Sequence, residues 1–324
     1  MAGRKENRFF RQSSFSAKNR IGLTTGDPDG IGRLVAKRGL QRLGPQKNIQ
    51  FVLWTDKAAP QFRVPSFHVK TFSSIHQALE TPFEESCLLQ IGSSRPAGVW
   101  VEECARLCLG HTLSAMVTGP LSKGLLAESY PSLRGQTQLL KKVSKTDNVF
   151  MTFLGKQFNV ILLNDHVSFF KIKLQKLPAL LEMGLDFRKF LPPSRQDKPL
   201  GLLGLNPHAG EEGLLGTEES RPPLLHSFSE SQVCGPLSPD GAFLKKNWSR
   251  FSFYVALYHD QGLIPFKMIH AHKGVSFSLG LPFIRTGVDH GTGWGLKPQE
   301  VSSDSFFAAL KQALFLVKKN RKGF

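Results

Sequence analysis

The chain has 324 residues, 40% of them hydrophobic, which is enough to bury a core in one large domain or in two of ordinary size. No stretch approaches the roughly 20 uninterrupted apolar residues of a membrane-spanning helix, and four cysteines are too few and too scattered for a disulfide scaffold. The net charge of +17 is concentrated at the two ends, since residues 1–20 and 311–324 each carry a net charge of +5.

These bulk properties predict a cytoplasmic protein without a membrane partner, because a reducing compartment keeps thiols unpaired. Cys104 and Cys108 stand four residues apart in a helical pattern, and we interpret them as buried core thiols. Basic ends can bind nucleic acid or anionic lipid, but a solvated terminus is the commoner case. We therefore predict a disordered basic tail over residues 1–20 and no nucleic-acid partner.

The first half of the chain alternates predicted strands and helices. A strand begins at Ile21 and runs into a glycine-rich turn, after which a helix extends from about Ile31 to Arg42. The elements that follow are strands at 50–54, 88–91 and 115–118, a helix at 101–109, and a strand-to-helix turn at 118–124. Such alternation predicts parallel strand pairing and an α/β architecture.

The second half predicts a mixed sheet. Two apolar runs, 149–154 and 158–163, are separated by only three residues and indicate an antiparallel hairpin. The remaining predicted elements are a helix at 178–190, strands at 200–205 and 253–258, and a closing helix at 304–319.

Three of these strands end in a polar cluster that contains a histidine: His166, His208 and His259. Ligands of open α/β sheets collect at the carboxyl ends of strands. Three imidazoles placed there could bind one metal ion and leave positions open for substrate oxygens. The separations in sequence are long, and each histidine alone is more often a structural hydrogen-bonding residue. The shared position at strand ends is what favours a metal site.

Other segments could bind an anion. The turn Gly26–Gly32 offers backbone N–H groups at a helix start, but it lacks Gly-x-Gly-x-x-Gly, so a Rossmann site is not indicated. Lys123 stands beside another helix start, and Lys267 and Arg285 flank an apolar segment late in the chain. Each of these cations could bind a phosphate or carboxylate, or could be a solvated surface charge.

At these residues the chain resembles the 4-hydroxythreonine-4-phosphate dehydrogenase family. The resemblance extends from about Ile21 to about Leu316 and is highly specific, because several blocks occur in order. These blocks are Gly26–Gly32, Val117–Gly124, Gly204–Gly210, Gly216–Glu219, Tyr258–Gly262, Leu279–Thr286 and Asp289–Thr292.

The resemblance implies a set of site residues. The metal ligands implied are His166, His208 and His259; the substrate-binding residues are Gln136, Thr137, Lys267, Ser276 and Arg285; and the NAD-binding loop contains His290, Gly291 and Thr292. We add Asp260 and Lys123 as auxiliary residues. Asp260 could orient the metal site or move a proton, or it could form only a local salt bridge.

The resemblance also implies the fold of the isocitrate and isopropylmalate dehydrogenases, which has two α/β/α lobes with a cleft between them and is not a Rossmann fold. We expect residues 21–130 plus 266–324 to form the lobe on the NAD side, and residues 131–265 to form the lobe on the metal, substrate and dimer side. The implied assembly is a homodimer whose partner subunit contributes to each active site.

The activity implied depends on NAD and on one divalent metal ion. It is the oxidation of 4-phosphohydroxy-L-threonine to 2-amino-3-oxo-4-phosphooxybutanoate, which decarboxylates to 3-amino-2-oxopropyl phosphate in pyridoxine 5'-phosphate biosynthesis. The metal is left open, because histidines suit Zn²⁺ or Co²⁺ whereas substrate oxygens accept Mg²⁺.

Three departures from the family pattern keep two alternatives open. The family's Gly-His-Thr-Glu motif falls on Gly135-Gln-Thr-Gln138, its substrate-binding Asn falls on Ser276, and the segment after Thr292 differs. These changes would suit a sister dehydrogenase acting on a phosphorylated sugar acid, such as threonate or erythronate 4-phosphate. They would also suit a non-catalytic protein that binds a phosphorylated ligand or nucleic acid, although the three retained histidines argue against this reading.

Overall fold

The computed structural model describes residues 18–218 and 227–320, which belong to two compact units. Unit 1 contains the described residues up to 147 and those from 281 onward, and unit 2 is Asn148–Gly280. Regular structure begins at Asn19, two residues before the predicted start, because Asn19 and Arg20 pair with the neighbouring strand. The rest of the predicted disordered tail, residues 1–17, lies outside the described residues.

Unit 1 alternates strands and helices as predicted, and it contains elements that the pattern did not reveal. Its elements in chain order are β1 (Asn19–Thr24), α1 (Gly32–Leu43), β2 (Ile49–Asp56), β3 (His68–Phe72), α2 (Ile75–Glu80), β4 (Cys87–Ser93), α3 (Ala97–Leu109), β5 (Ala115–Thr118), α4 (Lys123–Ser129) and α5 (Gln136–Ser144). The elements of unit 2 follow next in the chain, so the last elements of unit 1 are numbered after them. Unit 1 then closes with β12 (Ile284–Gly287) and α10 (Asp304–Asn320).

The sheet of unit 1 is entirely parallel, in the order β3-β4-β2-β1-β5-β12. The chain moves from β1 to β2 in one direction and from β4 to β5 in the other. Because parallel crossovers are right-handed, the helices of the two connections cover opposite faces of the sheet. Accordingly α1 packs against α10, whereas α3 packs against α4 and α5. This arrangement gives the α/β/α layers that the sequence predicts.

Unit 2 has a mixed sheet, as the hairpin pattern predicts. Its elements are β6 (Phe150–Leu154), β7 (Val160–Leu162), α6 (Leu177–Phe187), α7 (Pro193–Gln196), β8 (Leu200–Leu203), β9 (Val233–Leu237), α8 (Pro239–Ala242), β10 (Phe253–Ala256), α9 (His259–His270) and β11 (Val275–Leu279). The strand order is β11-β6-β7-β10-β8-β9. The pairs β11/β6 and β6/β7 are antiparallel, and β7, β10, β8 and β9 run parallel.

The boundaries between the two units lie at 147/148 and 280/281, later in the chain than the expected boundaries at 130/131 and 265/266. Helix α5 remains with unit 1 because it packs against α3. Helix α9 remains with unit 2 because it packs against β7 and β10, and β11 pairs with β6. The roles that we assign to the two lobes stay predictions.

Helix α9 was not predicted, because Pro265 interrupts its pattern. It forms because tertiary packing compensates for the interruption. Gly262 lets the helix approach the sheet closely, since a Cβ atom there would lie 2.6 Å from Val160 Cγ1 and 2.9 Å from Ala256 Cβ. The helix therefore begins against the ends of β7 and β10, and this position brings His259 to the edge of the sheet.

Two further predictions concern the cysteines and the membrane. Cys104 and Cys108 are buried in α3, which confirms their interpretation as core thiols, and all four cysteines are free. Within residues 18–218 and 227–320, no helix combines the length and the apolar character needed to cross a membrane.

His270 at the end of α9 is buried in an aromatic environment. Its ring stacks on Phe266, with centroids 4.3 Å apart, and contacts the edge of Phe158. The Gln157 N–H donates to Nε2 at 3.2 Å, and Nδ1 lies 3.0 Å from the Phe266 carbonyl oxygen. This pattern requires a neutral imidazole with its proton on Nδ1. Burial, assisted by the charge of Arg195, lowers the pKa of His270.

We expect stability to fall as the pH is lowered because of His270. Since its folded-state pKa lies below the unfolded value, the neutral ring stabilises the fold fully above the unfolded pKa, about 6.5, and this contribution is lost as the pH falls through the folded pKa. Urea unfolding between pH 7.5 and pH 5 should show a shallower pH dependence for His270→Gln than for the unmodified chain. The same replacement at the exposed His76 should leave the slope unchanged; equal slopes for all three proteins would contradict the assignment.

Candidate functional site

The three predicted metal ligands follow three neighbouring strands of unit 2. Strands β7, β10 and β8 are adjacent and parallel, so their carboxyl ends lie at one edge of the sheet. His166 follows β7, His208 follows β8, and His259 is the first residue of α9 after β10. The structure therefore confirms the strand-end positions of the three segments.

Two side-chain amides tie these segments together. Asn164 Nδ2 donates to the Leu257 carbonyl oxygen at 2.9 Å, which connects the His166 segment to the end of β10. Gln261 Nε2 donates to the Gly204 carbonyl oxygen at 2.6 Å, which connects the start of α9 to the end of β8. The relative positions of the three histidine-bearing segments are thus held by buried or half-buried hydrogen bonds.

Two of the three imidazoles lie side by side. The ring centroids of His166 and His259 are 5.2 Å apart. His259 Nδ1 lies 2.6 Å from Asp260 Oδ1. A carboxylate at Nδ1 fixes the tautomer of an imidazole and directs Nε2 toward a ligand, as is common around protein-bound metal ions.

His208 lies on an unusual turn. Five consecutive residues, 208–212, have positive φ angles, between 41° and 82°. This left-handed conformation is unfavourable for non-glycine residues by about 1–2 kcal/mol each. His208 is exposed, and its Nδ1 lies 3.6 Å from Glu211 Oε1. Such strain concentrates at functional sites, where the surrounding structure compensates for it.

Across the described residues, no three His, Cys, Asp or Glu side chains come together in an arrangement that could hold a metal ion. The donor chemistry suits a transition metal, and His166 with His259 provides two adjacent imidazoles. The structure does not bring His208 into a complete set of ligands with them. The three-histidine site therefore stays a prediction.

Two predicted substrate-binding residues also belong to unit 2. Lys267 is exposed on α9, two turns after His259. Ser276 is buried within β11, opposite Phe153 of β6. The role of Lys267 and Ser276 in substrate binding therefore stays a prediction.

In unit 1, three of the sequence blocks that resemble the family lie at the carboxyl ends of β1, β5 and β12, which are neighbours in the sheet. They are Gly26–Gly32, Val117–Gly124 and Leu279–Thr286. The turn after β1 contacts the segment after β5, where Asp27 N–H donates to the Pro120 carbonyl oxygen at 2.9 Å. A Cβ atom on Gly26 would lie 2.1 Å from that same oxygen, and Gly26 has a φ of +77°, so both space and conformation require glycine. Because the strand order reverses at β1 and β5, this edge is the usual place for a ligand site.

Arg285 of β12 reaches the end of the neighbouring β5 at this edge. It is 6% exposed, and its Nη2 donates to Thr118 Oγ1 at 2.6 Å and to Gln136 Oε1 at 3.2 Å. The Gln136 amide is oriented from its other side, since its Nε2 donates to the Gly119 carbonyl oxygen at 3.1 Å. Burial lowers the pKa of Arg285 to about 10, so the guanidinium remains protonated at neutral pH.

Gly287 makes room for this guanidinium. It pairs with Thr118 across β12 and β5. A Cβ atom on Gly287 would lie 2.8 Å from Arg285 Nη2 and 2.9 Å from Thr118 Oγ1. A side chain at this position would displace one of the two.

The other predicted residues of unit 1 lie at helix starts and in one loop. Lys123 is exposed at the beginning of α4, directly after Ser122, whose Oγ caps the helix by accepting from Leu125 N–H at 3.2 Å. Thr137 is half-buried in the first turn of α5, beside Gln136.

The predicted NAD loop contacts the glycine-rich turn after β1. Ile31 N–H donates to the Thr292 carbonyl oxygen at 2.9 Å, and a Cβ atom on Gly30 would lie 2.9 Å from the same oxygen. His290 Nδ1 lies 2.9 Å from the Gly291 carbonyl oxygen. Among the residues that the structure describes, none offers a hydrogen-bond partner to the buried His290 Nε2, and a buried polar atom of this kind often marks a ligand position. These residues could hold a cofactor.

Sequence reasoning missed Thr118 and the space that Gly287 leaves for the Arg285 guanidinium. Thr118 lies in the block Val117–Gly124, of which only Lys123 was singled out. Its position at the end of a predicted buried strand was the available signal, but its partner Arg285 is 167 residues away in the chain.

Comparisons with known proteins agree on one family. The family model described as "Pyridoxal phosphate biosynthetic protein PdxA" matches residues 54–313. A 4-hydroxythreonine-4-phosphate dehydrogenase of Sulfurihydrogenibium sp. (strain YO3AOP1) is 31% identical, with 94% of this chain and 99% of the relative covered. The enzyme of the same name from Aquifex aeolicus (strain VF5) is 32% identical over 88% of this chain and 95% of its own.

Solved structures lead to the same family and confirm the predicted fold class. A 4-hydroxythreonine-4-phosphate dehydrogenase from Klebsiella pneumoniae matches with a TM-score of 0.74 and 25% identity, covering 93% of this chain and 100% of that one. A β-decarboxylating dehydrogenase from Thermococcus kodakarensis matches with a TM-score of 0.54 and 12% identity, covering 93% and 83%. The second match shows the fold alone, which is the predicted fold and not the Rossmann fold.

Proposed function

Because the chain belongs to the PdxA family of pyridoxal phosphate biosynthetic proteins, an enzyme family, we propose that it oxidises 4-phosphohydroxy-L-threonine with NAD and a divalent metal ion. The product, 2-amino-3-oxo-4-phosphooxybutanoate, then decarboxylates to 3-amino-2-oxopropyl phosphate in pyridoxine 5'-phosphate biosynthesis. The observation that carries this proposal is the buried cation Arg285, oriented by Thr118 and Gln136 at the carboxyl edge of the sheet.

Arg285 would bind the substrate phosphate. A guanidinium presents N–H groups in a planar fork that matches phosphate oxygens, and the hydrogen bonds from Nη2 to Thr118 and Gln136 hold this fork at the carboxyl ends of the strands. A low-dielectric environment strengthens its attraction for a dianion. Thr137 at the start of α5 would add a hydroxyl, and Gln136 would contribute through its hydrogen bond to Arg285. The exposed Lys267 of unit 2 is a further proposed substrate-binding residue.

His166, His208 and His259 would hold the metal ion, with Asp260 orienting the His259 ring. When bound, the metal would supply Lewis-acid chemistry, which lowers the pKa of a bound hydroxyl and stabilises negative charge. Asp260 is exposed beside His259, so it would also be able to take up a proton. Ser276 would bind the substrate, and Lys123 would act as an auxiliary residue.

His290, Gly291 and Thr292 would bind NAD, which accepts hydride from the substrate carbon when bound. The buried Nε2 of His290 supports this assignment. The close contact between this loop and the turn also supports it, since a Cβ atom on Gly30 would lie 2.9 Å from the Thr292 carbonyl oxygen. The four free cysteines support a reducing, cytoplasmic location for the reaction.

A sister activity remains the second candidate. The Gln136 amide bonds both Gly119 and Arg285, and unlike histidine it does not titrate near neutral pH. A substrate without the amino group, such as threonate or erythronate 4-phosphate, would suit a pocket that lacks this titratable group.

The test is an assay of the purified full chain with NAD and 4-phosphohydroxythreonine, and in parallel with the two sugar-acid phosphates. We expect NADH formation with the first substrate, its loss on chelation and its recovery on adding Zn²⁺, Co²⁺ or Mg²⁺. Turnover of the sugar acids alone would support the sister activity. Binding of NAD and substrate without turnover with any substrate would support a non-catalytic protein. Activity indifferent to chelator and to His208→Ala would contradict the metal role.

A homodimer is part of the proposal, and apolar side chains exposed on unit 2 support it. Phe170 is 95% exposed and packs on Phe169, whose ring contacts Tyr258 beside His259. On α9, Ile264 and Met268 lie one turn apart on an exposed face, and Met268 is 77% exposed. Large apolar side chains grouped on a surface mark interfaces, and an isologous contact here would place a partner subunit near Lys267.

We expect Met268→Glu to convert the dimer to a monomer, because the interface would have to bury an unpaired charge. Light scattering coupled to size exclusion measures the mass directly. Phe315→Glu, on the exposed side of α10 in unit 1, is the matched control and should remain dimeric. A monomeric unmodified chain, or a dimeric Met268→Glu variant, would remove this face as the interface.

A further inference from the structure

Thr118 contacts the guanidinium of Arg285 through a short hydrogen bond in a fully buried position. Thr118 is 0% exposed at the end of β5, and its Oγ1 accepts from Arg285 Nη2 at 2.6 Å. Gln136 Oε1 accepts from the same nitrogen at 3.2 Å. Two acceptors on one nitrogen define the plane of the guanidinium and not merely its distance from the strand.

The backbone next to this bond is shaped to match it. Gly287 lies directly across from Thr118, and a Cβ atom at Gly287 would come within 3.1 Å of Arg285 Nη2, Arg285 Cζ and Thr118 Oγ1. The guanidinium therefore occupies the space that any other residue at 287 would fill. The Arg285 side chain lies along its own strand beside Gly287, and its hydrogen bonds to Thr118 and Gln136 select this conformation from the many that an arginine can adopt.

The geometry points to Thr118 as a positioning residue that sets the Arg285 guanidinium for the substrate phosphate, with Gly287 providing the space. This inference rests on the proposed function, in which Arg285 binds that phosphate. In this role Thr118 would act on the ligand through Arg285 Nη2, the nitrogen that also donates to Gln136 Oε1.

A preset guanidinium binds a phosphate more tightly than a mobile one, because the cost of ordering the side chain falls on folding and not on binding. The advantage is equal in the ground state and the transition state, so removing it should raise KM and leave kcat nearly unchanged. A purely structural role for Thr118 would instead lower stability without changing the KM for the phosphorylated substrate in particular.

The test compares three variants of the full chain. Thr118→Val keeps the shape and removes the hydroxyl, and Thr118→Ser restores the hydroxyl. Thr286→Val removes a different buried threonine hydroxyl from the same pair of strands, one that donates to the Ala309 carbonyl oxygen at 2.9 Å and does not bond Arg285. Thr286→Val therefore controls for the loss of stability that accompanies a buried hydroxyl.

We expect Thr118→Val to raise the KM for 4-phosphohydroxythreonine about tenfold, the usual effect of losing one buried hydrogen bond, with kcat and the KM for NAD within about twofold. Thr118→Ser should recover most of the affinity, and Thr286→Val should change none of these constants. In a background of Arg285→Ala, Thr118→Val should cause no further loss, because the two residues act as one unit. An unchanged KM in Thr118→Val, or equal and additive losses in both backgrounds, would overturn the inference.

A second measurement does not depend on turnover. In protein labelled with ¹⁵N-arginine, the Nη2 protons of Arg285 should exchange slowly with water in the unmodified chain, in Thr118→Ser and in Thr286→Val, and rapidly in Thr118→Val. Rapid exchange in the unmodified chain would refute the positioning role even if no substrate were turned over. Slow exchange together with an inactive enzyme would instead place the failure in the proposed function.

Discussion

Replacing His259 by alanine is expected to remove bound metal and to lower kcat/KM by about a thousandfold or more. The imidazole lies 5.2 Å from that of His166, centroid to centroid, and its Nδ1 is occupied by Asp260, so Nε2 is the nitrogen directed away from that carboxylate. Removing a direct ligand takes away several kcal/mol of Lewis-acid stabilisation, and each 1.36 kcal/mol corresponds to a factor of ten in rate. Metal content by elemental analysis and steady-state kinetics measure the two effects separately.

A graded series sharpens this prediction. Asp260→Asn keeps the shape but weakens the orientation of His259, so we expect a smaller loss of metal affinity, about 10- to 100-fold. His76→Ala removes an exposed histidine of α2 and should change neither metal content nor rate. Full metal content and unchanged activity in His259→Ala would show that the neighbouring imidazoles are structural.

Replacing Arg285 by alanine should lower kcat/KM for the phosphorylated substrate on the order of 10²- to 10³-fold. A buried, hydrogen-bonded charge that meets an opposite charge is worth about 2–5 kcal/mol when one partner is removed. Because burial lowers the pKa of Arg285 only to about 10, the guanidinium stays charged through neutral pH. The loss should therefore be constant between pH 7 and pH 8, above the second pKa of a phosphate monoester, about 6, and kinetics at three pH values in this range would measure it.

The controls for Arg285 separate geometry from charge. Arg285→Lys keeps the positive charge but not the planar fork, so we expect it to recover only part of the loss. Arg106→Ala removes an exposed arginine that pairs with Glu102 on the surface of α3, and such pairs contribute little. A variant Arg285→Ala that binds the substrate as tightly as the unmodified chain would exclude Arg285 from phosphate recognition.

Local sequence was sufficient to predict those elements whose formation depends on the residues of a single segment. The strand at Ala115–Thr118 matches its predicted bounds, and the closing helix begins at the predicted residue Asp304. Both follow from local sequence, because a buried strand needs a short apolar run and a helix needs apolar residues at its own period. The positions of the three histidines after parallel strands followed from the same patterns. Helix α9 did not, because Pro265 opposes helix formation locally and only packing against β7 and β10 compensates for it.

The sequence by itself thus determined the α/β class, the strand ends that carry His166, His208 and His259, and the family blocks. Only the tertiary structure decided which side chains meet. The contact of Thr118 with Arg285 spans 167 residues, and that of Gln136 with Arg285 spans 149. No periodic pattern within a segment encodes such pairs, because they depend on which strands become neighbours and in which register. The same register places Gly287 opposite Thr118 and so leaves the space in which the guanidinium lies.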